Sequence, residues 1–253
     1  NRTIKINGGI TTFLGPNGSG KTQLLRGLKR SLNSHLNEKK IRYISAGRLG
    51  PMENFRSDYD GQRGMPRFEN ATFGDKTATS RRHQTETILG DFATLSERPD
   101  ILIKVQERLR KLFKRDIIID WDGGNLKVFF ARVDQENTSN YSSAREASGL
   151  LHLVAMLSAL YDDEVGCLLI DEPEVSLHPQ LQSFLLSEII KVAGANTEQG
   201  KKLIFISTHS TEFIELSSVE QLSCIVFCKD ILTDPVQIDP NLEEFKGKKL
   251  KAL

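Results

Sequence analysis

The chain has few cysteines, almost no excess charge and no long apolar run. Three cysteines among 253 residues are too few for the disulfide framework of a small secreted domain, and no signal-peptide pattern opens the chain, so we expect reduced thiols and a cytoplasmic protein. The formal net charge of +1 excludes bulk charge as a force that draws the chain onto nucleic acid or an anionic membrane. No run approaches the roughly 20 apolar residues of a membrane-spanning helix, so we expect no membrane partner.

The amino-acid composition is typical of a globular protein, with 38% hydrophobic and 26% charged residues. In the second half of the chain, continuous apolar runs alternate with apolar residues at helical spacing. We predict strands over residues 167–170, 203–207 and 225–228, and helices over residues 150–160 and 180–192. Buried strands that alternate with helices are typical of α/β proteins, so the pattern predicts a mostly parallel sheet flanked by helices.

The first half of the chain begins with a predicted strand, turn, strand and helix. The two strands cover residues 2–7 and 10–14, and the helix runs from residue 21 to about residue 31. Further on, apolar residues 117–121 and 126–133 flank a central Asp-Gly-Gly-Asn. This combination is a strong signal for a β-hairpin.

Residues 48–98 are dense in polar residues and glycine, with little periodicity before residue 87. So long an irregular region in a compact domain is usually functional or mobile. Basic and aromatic residues are interleaved in it, and such a mixture can contact phosphates and stack on bases, or dock a protein. They are Phe55, Arg56, Tyr59, Arg63, Arg67, Phe68, Phe73, Arg81 and Arg82. A direct contact with DNA and a protein-docking surface both stay open.

The strongest signal is a glycine-rich loop between the strand over residues 10–14 and the first helix. Gly15-Pro16-Asn17-Gly18-Ser19-Gly20-Lys21-Thr22 fits G-x-x-x-x-G-K-[ST] in full. The backbone N–H groups of such a loop and the N-terminus of the following helix hold the phosphates of ATP. We predict that Lys21 supplies a cation to the β- and γ-phosphates and that Thr22 supplies a hydroxyl to Mg²⁺.

Polar residues follow two of the predicted buried strands. Asp171 and Glu172 come directly after residues 167–170, which places their carboxylates at the edge of the sheet beside the phosphate loop. We predict that Asp171 holds Mg²⁺ and that Glu172 orients and deprotonates the attacking water. Residues 203–207 also end in polar residues, and we predict that His209 hydrogen-bonds the γ-phosphate. The predicted catalytic residues are Lys21, Glu172 and His209.

Three motifs together resemble the ATP-binding-cassette (ABC) ATPase superfamily. They are the phosphate loop, Asp171-Glu172-Pro173-Glu174 with Leu177-His178-Pro179, and Ser207-Thr208-His209-Ser210. They are similar to its non-transporter branch, which includes overcoming-lysogenization-defect proteins, related bacterial anti-phage defence ATPases, and chromosome-maintenance and recombination-repair heads. The resemblance covers roughly residues 1–50 and 145–230. It implies one ABC-type P-loop NTPase domain over residues 1–253, in which residues 51–144 form a variable lobe.

The resemblance also implies a dimer that closes head to tail around two ATP molecules. Each site then combines the phosphate loop of one subunit with a signature segment of the other, and Ser148 and Gly149 are the implied ATP contacts. Ala147 stands where the family pattern has serine, so either Ser148 takes over the γ-phosphate contact or the contact is weaker. A plain helix cap at Ser148 is the alternative.

For two further parts of the family pattern, the sequence offers candidate residues without a clear match. The glutamine that links the Mg²⁺ site to the lobe is expected after residues 41–45, and Gln62 and Gln84 are possible positions. Arg48 directly follows the same segment and can either reach phosphate or be an ordinary surface arginine. The family pattern places the segment that contains His178 across the dimer interface.

Three functions are compatible with these motifs. The first is an ATP-hydrolysing switch in a DNA-linked anti-phage defence or repair complex, whose output passes to an effector protein such as a nuclease. The second is an ATP-gated scaffold or sensor with slow hydrolysis, which the altered signature at Ala147 permits. The third is the nucleotide-binding subunit of an ABC transporter, which predicts a clear glutamine loop and an intact signature, and both are missing.

Overall fold

The computed structural model describes most of the chain. The described residues are 4, 6, 9–32, 36, 39–56, 71–134, 140–195, 198–214 and 224–238. The predicted strand over residues 2–7, the candidate Gln62, and Tyr59, Arg63, Arg67 and Phe68 of the basic and aromatic set fall wholly or largely outside them, as does the side chain of Arg56. Within the described part of the chain, no helix is both long and apolar enough to cross a membrane.

The secondary structure comprises nine strands and seven α-helices among the described residues. The strands are β1 (Ile10–Leu14), β2 (Lys40–Ile44), β3 (Arg115–Asp122), β4 (Asn125–Arg132), β5 (Tyr141–Ser142), β6 (Val165–Asp171), β7 (Leu203–Thr208), β8 (Ile225–Phe227) and β9 (Val236–Gln237). The helices are α1 (Lys21–Leu32), α2 (Gly50–Arg56), α3 (Lys76–Thr79), α4 (Ile88–Glu97), α5 (Pro99–Phe113), α6 (Ser148–Tyr161) and α7 (Pro179–Val192).

Six of the strands form one sheet in the order β2-β6-β7-β1-β8-β9. The pairs β1–β7, β1–β8 and β6–β7 are parallel, and β9 adds an antiparallel edge next to β8. Strand β6 is buried along its whole length, as expected for a parallel strand covered on both faces. The α/β fold with a mostly parallel sheet, predicted from the alternating pattern, is therefore confirmed.

The chain divides into two compact units. The first comprises Asn1–Ile41, Gly166–Glu174 and His178–Leu253, and the second comprises Arg42–Val165 and Val175–Leu177. In the first unit, β1 pairs with β7 in a register that sets Phe13 opposite Ser207. Strand β6 pairs with β7 so that Asp171 also lies opposite Ser207. The carboxyl ends of the three parallel strands therefore meet at one level of the sheet.

The second unit is built around helix α6, which packs against α4 and α5. Every α6 residue from position 150 to position 160 is buried. A helix that is apolar on all sides is stable only when neighbours surround it, which explains why the α4 and α5 segments fold onto it. Strands β3 and β4 form the predicted hairpin, and its two-residue turn places both Gly123 and Gly124 at positive φ.

The prediction of an irregular region over residues 48–98 is wrong in part. Helices α2, α3 and α4 all lie in it, and α4 coincides with the periodic stretch that begins at residue 87. Helices α2 and α3 have only seven and four residues, too short for a periodic pattern to be read from the sequence. Phe73, predicted as part of a possible nucleic-acid surface, is instead buried and packs 4.5 Å from Phe92, measured between ring centroids.

A buried ion pair fixes the start of the second unit. Arg42 donates to both carboxylate oxygens of Asp91, at 2.9 and 2.7 Å, and also to the carbonyl oxygens of Thr85 and Thr87. Both charged side chains are 2% exposed. Removal of one partner leaves a buried charge without compensation, which is far more costly than the loss of an exposed pair.

We predict that Arg42→Met lowers the free energy of unfolding by about 3–5 kcal/mol, because Asp91 then stays buried without a cation. Urea denaturation measures the loss. The matched control is Arg110→Met, since Arg110 is half exposed and pairs with Asp116 near the surface, where ion pairs contribute at most about 1 kcal/mol. Equal losses for the two variants would contradict the assigned role of Arg42.

Candidate functional site

The glycine-rich loop lies between β1 and α1, in the first unit, as predicted. A side-chain carbon on Gly15 would lie 2.1 Å from the carbonyl oxygen of Cys228, so only glycine allows the end of β8 to come this close. Gly20 has a φ of +87°, a left-handed conformation that glycine adopts without strain. The loop then enters α1 at Lys21, with its N–H groups at the positive end of the helix dipole.

The ammonium group of Lys21 lies folded over its own loop. Its Nζ donates to the carbonyl oxygens of Gly15 at 2.8 Å and Pro16 at 2.9 Å, and the residue is only 5% exposed. An ammonium group has three hydrogens, so a further donor remains for an anion held in the loop. This geometry suits the predicted contact between Lys21 and phosphate.

The carboxylate of Asp171 joins the loop to the ends of two strands. Thr22 Oγ1 donates to Asp171 Oδ2 at 2.8 Å, and Ser207 Oγ donates to Asp171 Oδ1. Asp171 is 3% exposed, so these hydroxyl groups take the place of water around a buried carboxylate. Sequence reasoning paired Thr22 with Asp171 through a shared cation but gave no role to Ser207, which the register of β6 and β7 brings opposite Asp171.

The oxygen atoms of Thr22 and Asp171 fit a magnesium ion, which prefers hard oxygen ligands and is usually held by one or two carboxylates, water and the phosphates of a nucleotide. Among the described residues, no group of three or more His, Cys, Asp or Glu side chains could hold a metal ion. Thr22 and Asp171 therefore do not supply enough ligands to bind a metal ion by themselves. They are suited to a cation that arrives with phosphate oxygens.

Glu172 adopts a strained backbone conformation at the end of β6. Its φ of +49° is left-handed, which is uncommon for a residue with a side chain. Its backbone N–H donates to the carbonyl oxygen of Ser207 at 2.9 Å, and this bond maintains the conformation. Strain of this kind is concentrated at functional sites, where it sets the direction of one side chain.

One oxygen of Glu174 has three polar contacts at the end of β7. Its Oε1 accepts hydrogen bonds from Thr208 Oγ1 at 2.8 Å and from the backbone N–H of His209 at 2.9 Å, and it lies 3.0 Å from His209 Nδ1. The Glu174 side chain is 6% exposed, whereas that of His209 is 50% exposed. The buried carboxylate therefore anchors an imidazole that is itself open to solvent.

The approach of Glu174 to His209 favours one tautomer of the imidazole. A carboxylate oxygen only accepts hydrogen bonds, so a hydrogen on Nδ1, 3.0 Å from Glu174 Oε1, is the favoured arrangement. The other nitrogen, Nε2, is then the one that remains for a further partner. Sequence reasoning named His209 but used Glu174 only as a family marker. No sequence pattern shows that a residue three positions after Asp171 reaches the end of another strand.

The signature segment lies in the second unit. Helix α6 begins at Ser148, and its N-cap is Ala147, which makes no side-chain capping bond. The alternative of a cap at Ser148 is therefore wrong by one residue. A side-chain carbon on Gly149 would lie 2.5 Å from the carbonyl oxygen of Ser176, so the segment over residues 175–177 packs directly on the start of this helix. That contact gives Gly149 a packing role that is independent of any ligand.

Other candidates from the sequence occupy structural positions in the second unit. Arg48 is fully buried and donates from Nε to His152 Nδ1 at 2.5 Å, so it is not a surface arginine. Arg82 pairs with Glu164. Gln84 is exposed in the turn that follows α3. In the first unit, His178 is the N-cap of α7, where its Nδ1 accepts the backbone N–H of Gln180 at 3.4 Å.

The strand order and the loop together define a P-loop NTPase fold, and the fold of a solved Smc head agrees with it. The Smc head bound to the C-winged helix domain of ScpA has a TM-score of 0.50 and 12% identity, over 95% of this chain and 92% of that chain. The dimeric structure of the bacterial ABC transporter cassette MJ0796 has a TM-score of 0.45 and 14% identity, over 94% and 90% of the two chains. An ATP-binding subunit of an ABC transporter has a TM-score of 0.44 and 15% identity, over 100% of this chain and 89% of that chain.

A sequence family is also identified. The family described as "AAA domain, putative AbiEii toxin, Type IV TA system" matches residues 62–215, more than half of the chain. The chain therefore belongs to this family of P-loop ATPases. Among curated proteins, no sequence match to the chain was found. The predicted P-loop NTPase fold, with a mostly parallel sheet flanked by helices as in the Smc head, is confirmed.

We predict that Glu174→Ala removes the preference of His209 for the tautomer with hydrogen on Nδ1, because no acceptor then faces that nitrogen. The ¹⁵N chemical shifts of the imidazole nitrogens, measured by NMR, report the tautomer directly. His178 is an internal control of the opposite kind, since its Nδ1 accepts a hydrogen bond and its hydrogen is on Nε2. Unchanged His209 shifts in the variant would show that Glu174 does not orient the ring.

Proposed function

We propose that this chain is an ATP-binding and ATP-hydrolysing head that dimerises around ATP and switches an effector protein in a DNA-linked anti-phage defence or repair complex. The observation that carries the ATPase part is the bond between Thr22 Oγ1 and Asp171 Oδ2, 2.8 Å long, next to a glycine-rich loop that encloses Lys21. This bond joins two residues that are 149 positions apart in the sequence. Their oxygen atoms suit the cation that accompanies a triphosphate.

Binding begins at the loop. The N–H groups between Gly15 and Thr22 and the N-terminus of α1 receive the phosphate oxygens, and Lys21 neutralises part of their charge. Thr22 and Asp171 would hold Mg²⁺ against the nucleotide, where it would supply the remaining positive charge that the phosphates require. Ser207 keeps the Asp171 carboxylate in the orientation that this task requires.

Hydrolysis then needs a proton acceptor beside the γ-phosphate. The oxygen of a water molecule bonds to the γ-phosphorus, the bond from that phosphorus to the β–γ bridging oxygen breaks, and the water proton passes to the Glu172 carboxylate. Glu174 lies 3.0 Å from His209 Nδ1, and a hydrogen on Nδ1 leaves Nε2 as an acceptor for a hydrogen bond from the water. A hydrogen bond from Nε2 to the γ-phosphate requires a hydrogen on Nε2 as well. The strained backbone of Glu172 supports its assignment as the base.

The dimer and the partner are proposed on separate grounds. The N-terminus of α6, with Ser148 and Gly149, offers backbone donors to an anion bound in a second subunit. The family description names a toxin of a type IV toxin–antitoxin system, which supports a role within a system of several components. An effector such as a nuclease, and a contact with DNA, remain part of the proposal.

We predict that Glu172→Gln reduces the rate of ATP hydrolysis by about 10²–10⁴-fold, the usual contribution of a general base, while ATP binding is retained. The closed, ATP-bound dimer should then accumulate. A coupled phosphate assay measures turnover, and size-exclusion chromatography with light scattering measures the dimer.

The matched control is Glu97→Gln, because Glu97 is an exposed glutamate at the end of α4 in the second unit. It should hydrolyse ATP as the wild type does. Turnover at the wild-type rate in Glu172→Gln would remove Glu172 from the mechanism. Failure of the wild type to bind ATP at all would overturn the proposed function.

A scaffold or sensor with slow hydrolysis is the second candidate, and the N-cap of α6 favours it. Ala147 has no hydroxyl at the position where the family pattern has serine, so the second subunit offers one donor fewer to the γ-phosphate. A single-turnover assay separates the two candidates. Bound ATP that is scarcely cleaved over many minutes supports the scaffold, whereas prompt cleavage supports the switch.

A further inference from the structure

The imidazole of His209 is only partly packed against the protein. Its side chain is 50% exposed, so its direction depends on the backbone on either side of it. On one side lies Thr208, a buried residue at the end of β7, whose Oγ1 donates to Glu174 Oε1 at 2.8 Å. On the other side lies Ser210, which is held by a different element of the first unit.

Ser210 joins this stretch of backbone to helix α7. Its Oγ donates to Gln182 Oε1 at 2.8 Å, and its backbone N–H donates to Thr208 Oγ1 at 2.9 Å. Ser210 Oγ also accepts the backbone N–H of Glu212 at 3.3 Å. A serine hydroxyl has one hydrogen, and accepting from Glu212 leaves that hydrogen for the bond to α7. The position of Gln182 therefore requires a hydrogen-bond acceptor.

Helix α7 gives Gln182 a fixed base. Gln182 is 8% exposed and lies on the buried side of the helix with Leu185 and Ile189, at helical spacing. An amide that leaves water needs hydrogen-bond partners, and Ser210 is one of them. A second bond between the same two segments, from Ser183 Oγ to a carboxylate oxygen at 3.0 Å, is exposed. Water competes with that bond but has little access to the one made by Gln182.

A continuous chain of hydrogen bonds thus runs from Gln182 through Ser210 and Thr208 to Glu174. His209 lies between the two hydroxyl residues in the sequence, and its own backbone N–H donates to Glu174 Oε1 at 2.9 Å. Hydrogen bonds in such a chain polarise and strengthen one another. The backbone of His209 is therefore held from both directions, by the segment after β6 and by α7.

We propose that Gln182 is a positioning residue, which holds Ser210 and thereby fixes the backbone from which the His209 imidazole projects. The inference rests on the proposed ATP hydrolysis and adds a residue of α7 to it. In this role Gln182 acts through Ser210 and needs no contact with ATP. A group held in its working orientation contributes more to the rate than one that samples several orientations.

The test is the variant Gln182→Leu, which keeps a side chain of similar size and removes the acceptor. We expect kcat for ATP hydrolysis to fall by about tenfold, because His209 is oriented less well, while KM for ATP changes by less than about twofold. Steady-state phosphate release measures both constants. Urea denaturation confirms that the variant is folded under the assay conditions.

NMR of His209 without ATP gives a readout that does not depend on turnover. In Gln182→Leu, the ¹⁵N chemical shifts of the imidazole should move toward those of a free histidine, which is a mixture of tautomers. A loss of stability that leaves the folded state unchanged would not move these shifts.

The second variant is Ser210→Ala, which removes the same bond from the other side. We expect it to lower kcat and to shift the His209 signals in the same direction. Gln182→Leu added to Ser210→Ala should then lower kcat by less than about twofold more, because residues that act through one shared bond are not additive. A further tenfold loss in the double variant would show that Gln182 acts elsewhere and would overturn the proposal.

The matched control is Gln180→Leu, the same change at an exposed position in the first turn of α7. It should keep the kcat and the His209 shifts of the wild type. Wild-type kcat or unchanged His209 shifts in Gln182→Leu would overturn the positioning role while ATP hydrolysis stands. If Gln182→Leu does not fold, the same two results in Ser210→Ala would overturn it. A wild type that does not hydrolyse ATP would overturn the proposed function itself.

Discussion

The carboxylate of Asp171 is the group on which the candidate site depends. It is buried, and its two oxygens accept hydroxyl hydrogens from Thr22 on the first helix and from Ser207 on the neighbouring strand. A buried carboxylate is tolerated only when such donors replace its water, so each of the three segments holds the other two in position. The same arrangement would place a divalent cation where the phosphates of a bound nucleotide end.

Close backbone packing around the loop makes this arrangement rigid. The turn after β8 approaches Gly15 so closely that no side chain fits between them, and the parallel register sets the ends of β1, β6 and β7 at one level. Glu174 extends the order to His209, because its Oε1 accepts the backbone N–H and lies 3.0 Å from the ring nitrogen Nδ1. Preorganised donors and acceptors of this kind do not need to rearrange when charge develops, which is the main physical requirement of phosphoryl transfer.

The sequence predicted the elements with continuous or periodic apolar patterns, because each pattern records burial. The helix at Lys21, the strand that ends at Asp171 and the hairpin around Gly123 and Gly124 all lie where they were expected. The sequence did not predict α2 and α3, because helices this short have too few turns to show an apolar periodicity. It also misjudged Phe73 and Arg48, because polar neighbours in the sequence conceal the fact that both side chains are buried.

The sequence by itself determined which chemical groups are available: a loop that only glycine can form, a lysine and a threonine at a helix N-terminus, and acids after a buried strand. Those properties are local, so a local pattern records them. Only the tertiary structure decided which groups meet. Ser207 reaches Asp171, Glu174 reaches His209 and the turn after β8 reaches the phosphate loop through strand pairing between segments far apart in the chain, and pairing register is a property of the folded sheet that no single segment encodes.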